Sequence, residues 1–277
     1  MLEYTLCNEL LADEGLDLAA QARVARDLGY CGLEIAPATL GPQPHLTSTV
    51  DAARIRRTIE AEGIRVTGLH WLVSGYPDAS ITDPARQPFT RTVLCGLIDL
   101  CAALGGRVLV HGSPKQRQRP PGMTDTDLTD HLAAFFAPVA AHAEACGVAY
   151  CIEPLSTAET DVITTVAAGA DLVRAVGSSA FRTMIDISAA GQVEPPVADL
   201  VARWLPTGLV GHIHANDTNR GAPGMGDDPF PAIVAALVAA GWSNPVGVEP
   251  FRTLIDARVT AATGIATLRA CEMAAAR

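Results

Sequence analysis

The sequence predicts an α/β protein, a single-domain (β/α)8 TIM barrel spanning residues 1–277. Three observations carry this. Short β-type runs alternate with Ala-, Leu- and Arg-rich stretches of helical spacing from end to end, the pattern of a parallel sheet. Eight such repeats in a chain of 277 residues match the size of one closed barrel. Finally, four of the later runs each end in one metal-binding residue, recurring at roughly the 30 residues that a βαβ unit occupies.

The strand-like runs, in order, are Tyr4–Cys7, Gly32–Ala36, Arg65–Leu72, Arg107–His111, Ala149–Glu153, Arg182–Asp186, Leu209–Ala215 and Pro245–Glu249. Each is short and apolar, as strands buried on both faces are. The helical stretches between them are Asp17–Leu28, Val50–Glu62, Arg91–Leu104, Thr129–Cys146, Thr164–Val176 and Pro229–Ala240, and Ala257–Ala276 closes the chain. Gly29, Gly63, Gly105-Gly106, Gly147, Gly177 and Gly241 stand where helices should end. A doubly wound open sheet is the alternative, weakened because no Gly-rich phosphate loop follows the first strand. The Pro-rich stretches Pro37–Pro44, Pro77–Pro88 and Ser113–Gly122 follow strands two, three and four, where barrel enzymes carry their working loops. The third is also basic, with Lys115, Arg117 and Arg119. It reads either as a solvated loop or as a lid or anion-binding edge.

Bulk properties narrow the function. Hydrophobic residues make up 49% of the chain, enough for a large core, and the net charge is -10 with no basic patch. That argues against nucleic acid as the partner. The seven cysteines form no CxxC pair and read as reduced core residues. The chain opens on Met-Leu-Glu-Tyr-Thr-Leu without a basic region and apolar stretch, and no segment has the length and apolarity of a membrane span. A cytoplasmic protein with no membrane partner is expected.

The chemistry gathers at the strand ends. Glu153, Asp186, His214 and Glu249 each terminate an apolar run, so they should converge at one end of a parallel sheet. Buried carboxylates without a cation would repel one another and hold protons; a divalent ion resolves this. Oxygen donors with one nitrogen suit Mn²⁺ first, with Mg²⁺ or Co²⁺ as alternatives, over a structural Zn²⁺. His212 and His214 lie two apart and share a face; His214, nearer the strand end, is the preferred ligand and His212 its support. Asn8, Glu34, His70 and His111 complete a polar ring at the same rim, and Trp71 beside His70 is a candidate wall.

These residues carry a resemblance. Ile152-Glu-Pro-Leu-Ser-Thr-Ala-Glu-Thr160, Ile185-Asp186, His212-Ile-His-Ala-Asn-Asp-Thr-Asn-Arg-Gly-Ala-Pro-Gly-Met-Gly226 and Gly247-Val-Glu-Pro-Phe251 resemble the xylose isomerase-like TIM-barrel superfamily, most nearly its ketose 3-epimerase branch. The likeness implies a metal on Glu153, Asp186, His214 and Glu249, with Glu153 and Glu249 as the acid/base pair. It implies substrate contacts from Glu159 and Arg220, and His70, His111, Trp71 and His212 are further candidates for that role. A homodimer or homotetramer is also expected by resemblance. One departure stands out: the epimerases place a substrate-binding His three residues after the metal Asp, where this chain has Ala189.

The expected activity is therefore a metal-dependent sugar isomerase or epimerase, moving a proton next to a carbonyl through an enediolate on a ketose, keto-sugar or sugar derivative. The alternative is a metal-dependent eliminase that expels the aglycone of a keto-sugar glycoside, left open by Ala189 and the basic loop. A phosphodiesterase like the apurinic endonucleases is disfavoured by only 7 His and the charge of -10. A sugar-binding barrel without turnover is disfavoured by the full ligand set.

Overall fold

The computed structural model describes residues 1–275. Eight strands form one closed barrel in chain order: β1 (Tyr4–Cys7), β2 (Gly32–Ile35), β3 (Arg65–Leu69), β4 (Val108–His111), β5 (Ala149–Ile152), β6 (Phe181–Asp186), β7 (Val210–Ala215) and β8 (Val246–Val248). Every neighbouring pair is parallel, and β1 closes on β8 through Tyr4 opposite Val246. The expected (β/α)8 architecture is thus the observed one.

The helices are α1 (Glu9–Asp13), α2 (Leu18–Leu28), α3 (Thr49–Glu60), α4 (Gln87–Leu104), α5 (Asp125–Ala145), α6 (Val166–Val176), α7 (Ile187–Val193), α8 (Val197–Trp204), α9 (Phe230–Ala239) and α10 (Ala257–Ala275). The expected end of the last helix, Ala276, lies outside the described residues. Side-chain caps fix several starts: Asp17 accepts from the Ala20 amide, and Thr124 with Asp127 forms a reciprocal capping box on α5. Gly29 and Gly177 end α2 and α6 in the left-handed region that glycine tolerates best. Three helices escape the sequence pattern. The helices α1 and α7 are too short for a clear period, and α8 falls inside a segment read as connection.

Strand parity organises the interior. Tyr4, Leu6, Leu33, Ile35, Leu109, Tyr150, Ile152, Ile185, Ile213, Val246 and Val248 point outward into the large core under the helices. Val108, Val110, Cys151 and Met184 form a separate cluster inside the lumen. Alternation along a strand sends successive side chains to opposite faces, so the next inward positions after Cys151 and Met184 are Glu153 and Asp186. Among the described residues, no helix is long and apolar enough to cross a membrane.

Candidate active site at the carboxyl ends of the strands

Register brings the candidate ligands together. Asp186 pairs with His214 across β6 and β7, His214 with Gly247 across β7 and β8, and the Glu249 amide donates to the Ala215 carbonyl. One donor atom from each of Glu153, Asp186, His214 and Glu249 lies within 4.8 Å of the others, and all four residues are buried. Three carboxylates in so small a buried volume fit a divalent cation.

Each group is held. Asp186 caps α7, its Oδ1 accepting from the Ala189 amide at 2.7 Å, while Oδ2 accepts from Asn216 Nδ2 at 2.7 Å. Asn216 in turn accepts from the Ser188 amide, locking β7 to the start of α7. His214 Nδ1 lies 2.9 Å from Glu249 Oε2, and its Nε2 lies 3.0 Å from Glu34 Oε1. The other Glu34 oxygen meets His212 Nε2 at 2.9 Å. Glu34 therefore bridges both histidines beneath the cluster and fixes the orientation of His214, as carboxylates behind metal-binding imidazoles do. Gly247 makes this arrangement fit, because a Cβ there would lie 2.7 Å from His214 Cδ2.

The charges respond to crowding. Burial, then Glu249 and Asp186, push the Glu153 carboxyl well above the usual range. Burial, then Glu249, push Asp186 up to about 6. For His214, burial opposes the charged ring, but Glu249 and Glu34 outweigh it and hold its pKa well above the ordinary value. For Glu34, burial would raise the pKa, but His212 and His214 prevail and hold it well below. Such opposed perturbations gathered in one place make these residues the candidates for a working site.

The cleft above the ligands is lined by Trp71, Glu159, Ser188, Ala189, Arg220 and Phe251. Arg220 Nη1 meets Glu159 Oε1 at 2.9 Å, and Ser156 Oγ donates to Glu159 Oε2. The Arg220 guanidinium also lies 4.3 Å from the Phe251 ring centre, and Trp71 meets the same ring edge-on. Trp71 and Arg220 both adopt positive φ, 53° and 67°. Side chains rarely hold that conformation unless the surroundings impose it, and it gathers at working sites. Around Arg220, Asp217 and Asp228 brace the loop: Asp217 accepts from Gly226 N, and Asp228 from Thr218 N.

The structure divides the remaining candidates. His70 and His212 are buried beneath the ligands and do not line the cleft; His70 Nε2 bonds Glu9 and stands 3.8 Å from Glu249 Oε1. His111 is a correction. With Val108 and Val110 inward, His111 faces outward, packing edge-on against Phe136 with Nδ1 2.5 Å from the Tyr150 hydroxyl. It is not available to substrate. The inward position at that strand end belongs to Gly112. The basic loop needs a second correction: Arg117 is fully buried and donates to the carbonyls of Ser113, His111 and Glu153. It clamps the backbone at Glu153 rather than offering an anion edge. Arg119 pairs with Asp125. The strand-end pattern alone does not reveal Asn216 or the bridging role of Glu34. Asn216 follows the His-Ile-His run directly, and Glu34 shares its inward parity.

Comparison with known proteins places this geometry. A family model described as a xylose isomerase-like TIM barrel matches residues 22–271. The D-psicose 3-epimerase of Ruminiclostridium cellulolyticum is 34% identical over 113 residues, 41% of this chain and 38% of that protein. The L-ribulose 3-epimerase of Mesorhizobium japonicum is 28% identical over 196 residues, 69% of this chain and 64% of that protein. The aligned segments thus span less than two thirds of these relatives. Among solved structures, an L-ribulose 3-epimerase superposes with a TM-score of 0.82 at 22% identity, covering 100% of this chain and 96% of that one. A 3-keto-D-glucoside 4-epimerase from E. coli gives 0.81 at 20% identity, covering 98% and 100%. At such identities the superpositions speak for the fold.

Proposed function

The chain belongs to the xylose isomerase-like TIM-barrel family, and we propose that it is a divalent-metal-dependent sugar epimerase or isomerase acting on a ketose or keto-sugar. The observation that carries this is the buried quartet of Glu153, Asp186, His214 and Glu249, whose donor atoms lie within 4.8 Å of one another. The relatives named as ketose 3-epimerases support the substrate class. Glu153, Asp186, His214 and Glu249 would hold the ion, with Mn²⁺ preferred and Mg²⁺ or Co²⁺ also suited to oxygen donors with one imidazole. When bound, the ion supplies Lewis-acid stabilisation of negative charge at the substrate oxygens.

The protein's own groups do the rest. One carboxylate of the Glu153/Glu249 pair takes the proton from the carbon next to the carbonyl, and the electron pair moves onto oxygen to give an enediolate. The partner carboxylate returns a proton, to the opposite face for epimerisation or to the neighbouring carbon for isomerisation, with no net redox change. Glu249 is steadied by His214 Nδ1, and the Glu153 backbone by Arg117. The Glu159–Arg220 pair offers hydroxyl contacts, and Phe251 with Trp71 offers an apolar wall for a sugar face. Ala189, at the cleft wall, leaves room where a histidine would contact a hydroxyl, and the substrate differs there from the one the ketose 3-epimerases hold. The elimination reading loses part of its support, since Arg117 is committed to backbone carbonyls.

The test is turnover of candidate ketoses and keto-sugars in D₂O with added Mn²⁺. Solvent deuterium should enter the carbon beside the carbonyl. Glu153→Gln and Glu249→Gln should each lose roughly 10²–10⁴-fold in rate. Intact turnover in both variants would refute the two-carboxylate mechanism, and released aglycone without deuterated epimer would favour elimination.

A further inference from the structure

A second cluster of metal-ligating side chains lies on the outside of the barrel, toward the end opposite the strand-end cleft. His142 and Cys146 stand one turn apart at the carboxyl end of α5, and Asp99 faces them from α4. Their donor atoms lie within 4.8 Å of one another. His142 Nε2 is 2.8 Å from Asp99 Oδ1, Cys146 Sγ is 3.6 Å from the same oxygen, and the sulfur is 3.9 Å from the imidazole nitrogen. A tetrahedral zinc ion with its usual bond lengths to sulfur, nitrogen and oxygen separates its ligands by roughly 3.3–3.6 Å. The three donors therefore need to move only by about half an ångström.

We propose that Asp99, His142 and Cys146 form a second metal site, completed by water and specific for a thiolate-seeking divalent cation of the Zn²⁺ type, that ties α4 to α5. His142 and Cys146 on α5 and Asp99 on α4 present three donors across a single seam, which leaves the fourth tetrahedral position to solvent. A thiolate, an imidazole and a carboxylate favour Zn²⁺ strongly over Mn²⁺ or Mg²⁺. Binding displaces the Cys146 thiol proton to solvent, and no oxidant is involved. Because Asp99 is solvent-exposed and His142 and Cys146 are partly so, the ion has direct access.

The experiment uses whole protein saturated with Mn²⁺ and then titrated with Zn²⁺ against a chromophoric chelator, with Co²⁺ as a spectroscopic probe. The wild type should take up one tight Zn²⁺ equivalent and show a thiolate-to-cobalt charge-transfer band. Cys146→Ser should abolish the band, and Cys146→Ser and His142→Ala should each weaken the Zn²⁺ equivalent at least about tenfold, as loss of one ligand contact worth some 1.4 kcal/mol or more does. Cys95→Ser, outside the donor set, should leave it unchanged. Circular dichroism without Zn²⁺ should match wild type in all three. A tight equivalent and a band that survive both Cys146→Ser and His142→Ala, or no thiolate band in the wild type, would overturn the site.

Discussion

Removing the cation from the strand-end quartet should leave a protein whose stability carries the signature of Asp186. Its carboxyl is pushed from 3.8 up to about 6 by burial and then Glu249. Folded protein therefore keeps a proton that unfolded protein has lost, and this contribution to stability falls as pH rises from about 4 through about 6. A shift of about two units corresponds to about 3 kcal/mol, fully lost above pH 6. Glu153 acts in the same direction and is itself raised in part by Asp186, while Glu34, held low, acts in the other; the comparison is with Asp186→Asn, which removes the Asp186 contribution and relaxes Glu153 in the same direction. The variant gives up the acceptor that Asn216 Nδ2 uses, a cost of about 1 kcal/mol at any pH. Metal-free Asp186→Asn should thus be slightly less stable than wild type at pH 4 and about 2 kcal/mol more stable at pH 7, a gain of roughly 5 °C in Tm. Adding Mn²⁺ at pH 7 should reverse the order, because only wild type retains the ligand; at a hundredfold excess over Kd it gains about 2.7 kcal/mol. Urea and thermal unfolding with chelator, and then with Mn²⁺, measure all four quantities. A stability difference that stays flat between pH 4 and 7, or Mn²⁺ stabilising both proteins equally, would refute the reasoning.

Gly112→Ala places a Cβ 1.6 Å from the present position of Glu153 Oε2; the carboxylate must swing away, and we expect Mn²⁺ affinity and turnover to fall at least tenfold while circular dichroism stays native. Arg220→Ala removes the partner of Glu159 and the cation over Phe251; KM should rise roughly tenfold to a hundredfold with a smaller change in kcat, read by steady-state kinetics. Arg117→Ala strands the carbonyls of Ser113, His111 and Glu153 and should cost at least about 3 kcal/mol in urea unfolding. Arg117→Lys should not restore it, since an ammonium lacks the planar fork that reaches three acceptors.

What the sequence made legible follows from one rule of strands. A run such as Tyr150-Cys-Ile-Glu153 shows where a strand ends, and a charged residue after an apolar run has few places to go except a shared polar centre. That is enough to find Glu153, Asp186, His214 and Glu249, and the barrel with them. It is not enough to assign a face. Lumen parity runs through Cys151 to Glu153, Met184 to Asp186, His212 to His214 and Gly247 to Glu249, but on β4 it runs through Val108 and Val110 to Gly112. A strand-end position one residue out of phase turns a side chain to the opposite side of the sheet, which is why His111 lies against Phe136 and Tyr150. The missing side chain at Gly112 is as much a part of the site as the groups around it, since the Glu153 carboxylate lies where that side chain would stand. Arg117 escaped for a different reason. Composition marks an arginine in a Pro-rich loop as solvated, and only tertiary structure shows three carbonyls converging on it. Buried cations that serve backbone, and glycines that make room for carboxylates, leave no periodic trace. They are the features that turn a ring of strand ends into a site with one geometry.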